Sequence, residues 1–165
     1  MPKIPRTQAM RVLDARKIPY KVHLFPDSIR DAVQVAAALG MQPSQVFKTL
    51  VLVQDETSKT HPLLFMVPAN REVDLRLFAR AIGVKSVHMA SHDQAEKLTG
   101  LKVGGISALA LLNRPFIVYI DESAQDFAEI LVSAGQRGVD LQLNIEDLIT
   151  VTDAQLVAAT RPKED

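Results

Sequence analysis

The hydrophobic pattern alternates between segments of period two and segments of period three to four, and that rhythm predicts most of the elements. In the most apolar run, Val46-Phe47-Lys48-Thr49-Leu50-Val51-Leu52-Val53, aliphatic side chains occupy both alternating faces. That is the pattern of a strand buried on two sides, here running to about Gln54. A polar, loop-like stretch over 55–62 separates it from a second strand at 63–67, so the two read as a hairpin. Residues 20–25, 84–89 and 116–120 read as further strands, and Val139, Leu141 and Leu143 alternate with polar neighbours after a turn over 135–138. Thr7 caps a first helix reaching about Lys17, and Asp27 or Ser28 opens a second that ends at Gly40. An amphipathic helix spans 75–82 and is closed by Gly83, and Ser91 with Gln94 makes a capping box for a helix reaching Leu98. Residues 127–133 fit either helix or strand, and Asn144 and Thr152 offer caps for two short closing helices. Strand pairs and helices follow one another without a regular βαβ rhythm, which predicts an α/β chain of the α+β type with a mixed sheet.

A length of 165 residues, 47% of them hydrophobic and 23% charged, fits one soluble domain with a sizeable core. No apolar stretch is long enough to span a bilayer, and the opening MPKIPRTQ lacks an apolar signal segment. The absence of cysteine excludes disulfides, a thiolate nucleophile and Cys-zinc sites, and fits a cytoplasmic protein. Basic and acidic residues balance at 19 each. A protein that coats nucleic-acid backbones is normally basic, so any nucleic-acid contact here is expected to be local, at an end or single-stranded tip.

Two features stand out as chemistry. Lys48 interrupts the buried run, and its ammonium must snorkel to solvent, pair with a carboxylate such as Asp140, or meet an anionic ligand. Downstream lies a glycine-rich segment, Gly100-Leu101-Lys102-Val103-Gly104-Gly105-Ile106-Ser107, which is not a dinucleotide fingerprint. His23, His61, His88 and His92 show no metal-ligand spacing, so no metal or other cofactor is expected. There is no G-x-S-x-G elbow and no Walker loop, and Ser107 has no neighbouring base, so it reads first as a loop hydroxyl bonded to backbone.

Three segments in order resemble the YbaK/EbsC family of aminoacyl-tRNA deacylases, which includes the editing domain inserted in bacterial prolyl-tRNA synthetases. They are Val46-Phe-Lys-Thr-Leu-Val51, the glycine loop from Thr99 to Ser107, and Ser133-Ala-Gly-Gln-Arg-Gly-Val-Asp140, similar to an S-x-G-x-R-G-x-[DE] turn. Order and spacing match over nearly the whole chain, at the length of a free-standing member. Two departures bear on substrate identity: Ala108 stands where the family continues with Pro, and Phe25 stands where cysteinyl-type members resemble H-x-Y.

The resemblance implies a single YbaK-like domain over 1–160, with a strongly twisted, barrel-like mixed sheet surrounded by helices, and a flexible tail over 161–165. It implies deacylation of misacylated tRNA, Cys-tRNA(Pro) before Ala-tRNA(Pro) or another small amino acid. Lys48 would anchor the tRNA end, and the N–H groups of Gly104 and Gly105 would polarise the ester carbonyl. Phe25, Thr49, Ser107, Ser133 and Asp140 would bind substrate. Each has a plainer reading as well: core aromatic, β-branched filler, loop hydroxyl, turn cap and solvated carboxylate. The expected partners are the tRNA acceptor end and a prolyl-tRNA synthetase, with no membrane, and the chain is expected as a monomer or weak homodimer. The alternative from another class is a non-catalytic module that binds aminoacyl-tRNA or a nucleotide on the same fold.

Overall fold

The apolar run around Lys48 forms an eight-residue strand, and the sheet built on it organises the molecule. The computed structural model describes residues 5–54 and 61–163, so most of the expected 55–62 loop lies outside the described residues. In chain order the elements are α1 (Gln8–Ala15), β1 (Lys21–Leu24), α2 (Ala32–Leu39), β2 (Phe47–Gln54), β3 (Leu63–Pro68), β4 (Arg71–Val73), α3 (Leu75–Ile82) and β5 (Val87–Met89). They continue with α4 (His92–Thr99), β6 (Ile117–Asp121), β7 (Glu129–Gln136), β8 (Val139–Asn144), α5 (Ile145–Thr152), β9 (Gln155–Val157) and β10 (Thr160–Pro162).

Among the described residues the strands form three sheets. Five strands lie in the order β5-β2-β3-β6-β9, three in the order β1-β8-β7, and β10 pairs with β4. The five-stranded sheet is mixed: β2–β3 and β2–β5 are antiparallel, β3–β6 and β6–β9 parallel. The strands do not close into a barrel; the five- and three-stranded sheets meet at an isolated parallel bridge between Val46 and Leu131.

The core explains why β2 and β3 read as apolar on both faces. Leu64 and Met66 of β3 pack, with Phe47 and Val51 of β2, against Ile130 and Val132 of β7, Leu141 and Leu143 of β8, and Met10 and Leu13 of α1. Leu63, Phe65 and Val67 point the other way, toward Phe78 of α3. There Phe78 meets Phe65 at 4.8 Å between ring centroids and Tyr119 edge-on at 5.2 Å. Burying Phe65 and Phe78 fully contributes about 1.5–3 kcal/mol each.

Helix starts follow the expected capping chemistry, with side-chain oxygens of Thr7, Asp74, Ser91 and Asn144 accepting from first-turn N–H groups. Three expectations need correction, and one left open is resolved. The second helix begins later than Asp27 or Ser28, capped by Asp31, because Ile29 N–H donates to Pro26 in a turn. The ambiguous 127–133 stretch supplies most of β7, since pairing with β8 outweighs its helical spacing. Thr152 caps no helix: its hydroxyl donates to Leu148 at 2.7 Å inside α5, and the chain returns as β9. Of the expected tail, 161 and 162 are strand: β10 pairs with β4 and Arg161 holds Glu72 at 2.9 Å.

Candidate functional site

Alternation along β8 sends Val139, Leu141 and Leu143 into the core and puts Asp140 on the opposite face. There Asp140 sits between two register partners, His23 on β1 and Ser133 on β7. Directly opposed residues share a face, so the sheet presents these three side chains together. The face is not solvated, because Val35 and Ala36 of α2 pack over it beside Leu131. Asp140 is therefore only 6% exposed, and its carboxyl has no hydrogen bond or ion pair to another described residue. Burial pushes its pKa up to about 7. The register shifts between Ser133 and Gln136, and within that irregularity the Ser133 hydroxyl accepts from Gly135 N–H at 3.1 Å.

Strand β2 delivers the second group of side chains. Phe25, Lys48, Thr49, Gly104, Ser133 and Asp140 line one cavity of about 200 Å³, together with Arg30 and Asp31 at its exposed rim and Ile106 and Val103 on its apolar wall. Lys48 is half-buried, and its pKa lies below the ordinary lysine value. Burial is the main cause and the nearby charge of Lys163 the second, partly offset by Asp31 and Glu72. Lys48 and Asp140 share the cavity without forming an ion pair. Among the described residues Thr49 contributes the one side-chain oxygen that is both sealed from solvent and without a hydrogen-bond partner. Such an atom costs about 1–3 kcal/mol when left unpaired, and the residue that bears it is among those lining the cavity.

The glycine loop is held to the β7–β8 turn. Arg137 Nε donates to the Val103 carbonyl at 2.7 Å, and Val103 N–H donates to the Glu96 carboxylate at 2.9 Å. Gly104 adopts φ +92°, a conformation L side chains rarely take, and its N–H donates to no other described residue. Gly105 is different. It does not line the cavity, its N–H already donates to Lys102 at 2.8 Å, and its missing Cβ makes room for the backbone of Arg137. Ser107 is likewise outside the cavity; it is 1% exposed, and its hydroxyl accepts a long bond of 3.4 Å from Ala110 N–H.

Six of the eight candidate residues thus converge, and Gly105 and Ser107 support the loop from behind. Arg30, Asp31 and Ile106 escape a reading of the sequence. Arg30 and Asp31 sit in an ordinary polar turn before α2, and only the packing of Arg30 against Gly104 marks them. A wider groove of about 570 Å³ runs along Arg71, Asp121 and Thr160. Its polar groups satisfy one another: Thr160 Oγ1 donates to Asp121 and accepts from Arg71. The smaller cavity differs in gathering a residue with an orphan hydroxyl, an unpartnered carboxyl and a half-buried ammonium in one place. Among the described residues no group of three His, Asp or Glu side chains is placed to hold a metal, and no helix is long and apolar enough to cross a membrane.

The match to known proteins falls on these residues. Residues 26–151 match the family model of the aminoacyl-tRNA editing domain, a span holding every candidate residue except Phe25. The chain belongs to the aminoacyl-tRNA editing domain family. Within it, the chain is 36% identical over 157 residues to EbsC of Enterococcus faecalis, a protein named for deacylating Cys-tRNA(Pro) and Cys-tRNA(Cys), covering 94% of this chain and 93% of that one. It is 25% identical over 138 residues to the proline–tRNA ligase of Shouchella clausii, covering 84% of this chain but only 22% of the ligase. Among solved structures, one described as a trans-editing enzyme for prolyl-tRNA synthetase superposes with a TM-score of 0.79 at 26% identity, covering 96% of this chain and 99% of that one. A second, of a protein described only as hypothetical, shares the fold at a TM-score of 0.83 and 19% identity, covering 93% and 99%. The editing-domain fold thus accounts for nearly the whole described chain.

Proposed function

We propose that this member of the editing-domain family is a free-standing deacylase that cleaves the ester of misacylated tRNA, with Cys-tRNA(Pro) as the first substrate to test. The observation that carries the reading is the single cavity in which Lys48, Thr49, Gly104, Ser133 and Asp140 converge. The near end-to-end similarity to a protein named for Cys-tRNA deacylation supports it. At about 200 Å³ the cavity falls below the roughly 300–1,000 Å³ of pockets that enclose drug-sized ligands, which suits a small amino acid.

An aminoacyl ester is already activated, so the site need not supply a protein nucleophile. Its task is to fix the carbonyl against preorganised donors and admit an attacker. The free N–H of Gly104 polarises the ester carbonyl. Lys48 holds the anionic tRNA end as a point charge, and ionised Asp140 orients the substrate ammonium. Water, or the thiol of a cysteinyl substrate, adds to the carbonyl carbon; the tetrahedral intermediate collapses, the ester C–O bond breaks, and the ribose oxygen leaves with a proton. The near-neutral chain then depends on a prolyl-tRNA synthetase for tRNA selection, and acts in the cytoplasm as a monomer or weak dimer.

The test is a deacylation assay of the purified protein against Cys-, Ala- and Pro-tRNA(Pro). Ester loss from Cys-tRNA(Pro) above the spontaneous rate is the expected result, and no turnover on any of the three would sink the proposal. Binding of the tRNA end without ester loss would identify the non-catalytic module instead.

A further inference from the structure

The last described residues do not trail away from the site. Pro162 of β10 pairs with Arg71 of β4, and the next residue, Lys163, donates its N–H to the Asn70 carbonyl at 3.1 Å. Asn70 belongs to the turn joining β3 to β4, and in that turn Ala69 N–H donates to the Val46 carbonyl at 2.8 Å, two residues before Lys48. Lys48 is also the register partner of Val67. The backbone therefore carries Lys163 to the start of β2. From there its ammonium reaches Asp31, on the cavity rim, with Nζ 3.7 Å from Oδ1.

Resting on the deacylase reading, we propose that Lys163 is a substrate-binding residue which, with Lys48, holds a phosphate of the tRNA 3′ end at the cavity mouth. The local charge supports this. Lys48, Lys163 and Arg30 stand against Asp31 and the buried Asp140, three positive groups against two negative, while Glu72 is matched by Arg161. Asp31 is already engaged, its Oδ1 accepting from Val33 N–H at 3.0 Å as the cap of α2. A single carboxylate at the rim tempers the two lysines without neutralising both. Lys163 is also close enough for its charge to act on the Lys48 ammonium, a like-charge approach that an anion between them would relieve. The Lys163 side chain is 40% exposed, so it is available to a ligand arriving from solvent.

The test uses the full chain and an uncharged RNA minihelix ending in CCA, with binding measured across a range of salt. Lys163→Glu should weaken binding about tenfold, and Lys163→Gln should lower the log–log salt slope by about 0.7, the share of one phosphate on a single strand. Lys163→Arg should restore affinity, and thermal melting of each variant checks that the fold persists. Affinity and salt slope unchanged in both Lys163→Glu and Lys163→Gln would overturn the inference. Cleavage of misacylated tRNA by the wild type is measured separately. If the wild type binds the minihelix and loses affinity as predicted but cleaves no ester, the phosphate clamp stands and the deacylase reading falls. If it cleaves normally while the variants bind like wild type, only the clamp falls. A wild type that binds no RNA overturns the clamp, and the cleavage assay alone then decides the deacylase reading.

Discussion

Lys48 and Asp140 line the same cavity from two different sheets, yet they do not pair. Burial acts on both and in opposite directions, lowering the lysine pKa and raising that of the aspartate. Two groups of opposite sign are thus kept apart, each with free valence toward the space between them. A structural salt bridge would have joined them; a site for a cationic aminoacyl ester on an anionic carrier needs them separate.

Lys48→Ala follows directly. With no ion pair to break and a desolvated ammonium to remove, the substitution should change stability by no more than about 0.5 kcal/mol. Deacylation at sub-saturating tRNA should fall at least about tenfold, the scale of a lost charged contact to the tRNA end. Thermal melting alongside single-turnover assays checks both, and a large drop in melting temperature would mark Lys48 as structural.

Asp140 makes a prediction about pH. Its folded pKa, about 7, lies above the unfolded value, so between about pH 4 and 7 the native state holds a proton that the unfolded chain has released. Stability should therefore fall as pH rises through that window, by up to about 4 kcal/mol from this group. Asp140→Asn should melt higher than wild type at pH 8, with the difference vanishing below pH 4. If ionised Asp140 orients the substrate ammonium, wild-type activity should rise through pH 7, and the Asn variant should lose that limb.

The two neighbouring glycines should respond differently. A Cβ on Gly105 would lie 2.8 Å from the Arg137 backbone nitrogen and 3.0 Å from the Gln136 carbonyl carbon. Gly105→Ala must then push the loop and the β7–β8 turn apart, at a cost of about 1–3 kcal/mol. Gly104→Ala meets only side chains, Arg30 Cβ at 3.3 Å and Arg137 Nε at 3.5 Å, and suffers mainly from its positive φ, about 1 kcal/mol. Its larger effect should be on turnover, since Gly104, with its unpaired N–H, lines the cavity and Gly105 does not. Denaturant melts and kcat for both variants separate the two effects.

Pocket size should set the amino acid. Ile106 walls the cavity, and Ile106→Ala should widen it toward larger substrates, shifting relative kcat/KM by about 1–3 kcal/mol per methylene accommodated. Competition between Cys-, Ala- and Pro-tRNA(Pro) measures the shift. Phe25→Tyr, which restores a hydroxyl at the cavity edge, should alter the Cys-to-Ala ratio in the same assay.

How much of this was visible in the sequence depended on how local the cause was. The period of α3, the caps at Thr7 and Asn144, and the two-sided burial of β2 are written in neighbouring residues, and each appears where the pattern puts it. Strands β9 and β10 are three residues each, largely exposed, and exist because β6 and β4 offer them partners. No local pattern announces that. For the site, similarity to family motifs pointed to Lys48 and Asp140, but only packing separates Gly104, which faces the cavity, from Gly105, which makes room for backbone. Arg30, Asp31 and Lys163 reach the rim through distant contacts and carry no sequence signal of their own.

The bridge between Val46 and Leu131 joins two sheets that otherwise meet through side chains, and the cavity straddles that seam. Asp140 and Ser133 come from one side of it, Lys48 and Thr49 from the other. A ligand that touches all four therefore works as a staple across a seam that a single backbone bridge holds. At a hundred times its dissociation constant it should add about 2.7 kcal/mol of stability. Hydrogen exchange should slow first at the facing edges of β2 and β7, making the seam itself a reporter of what the cavity holds.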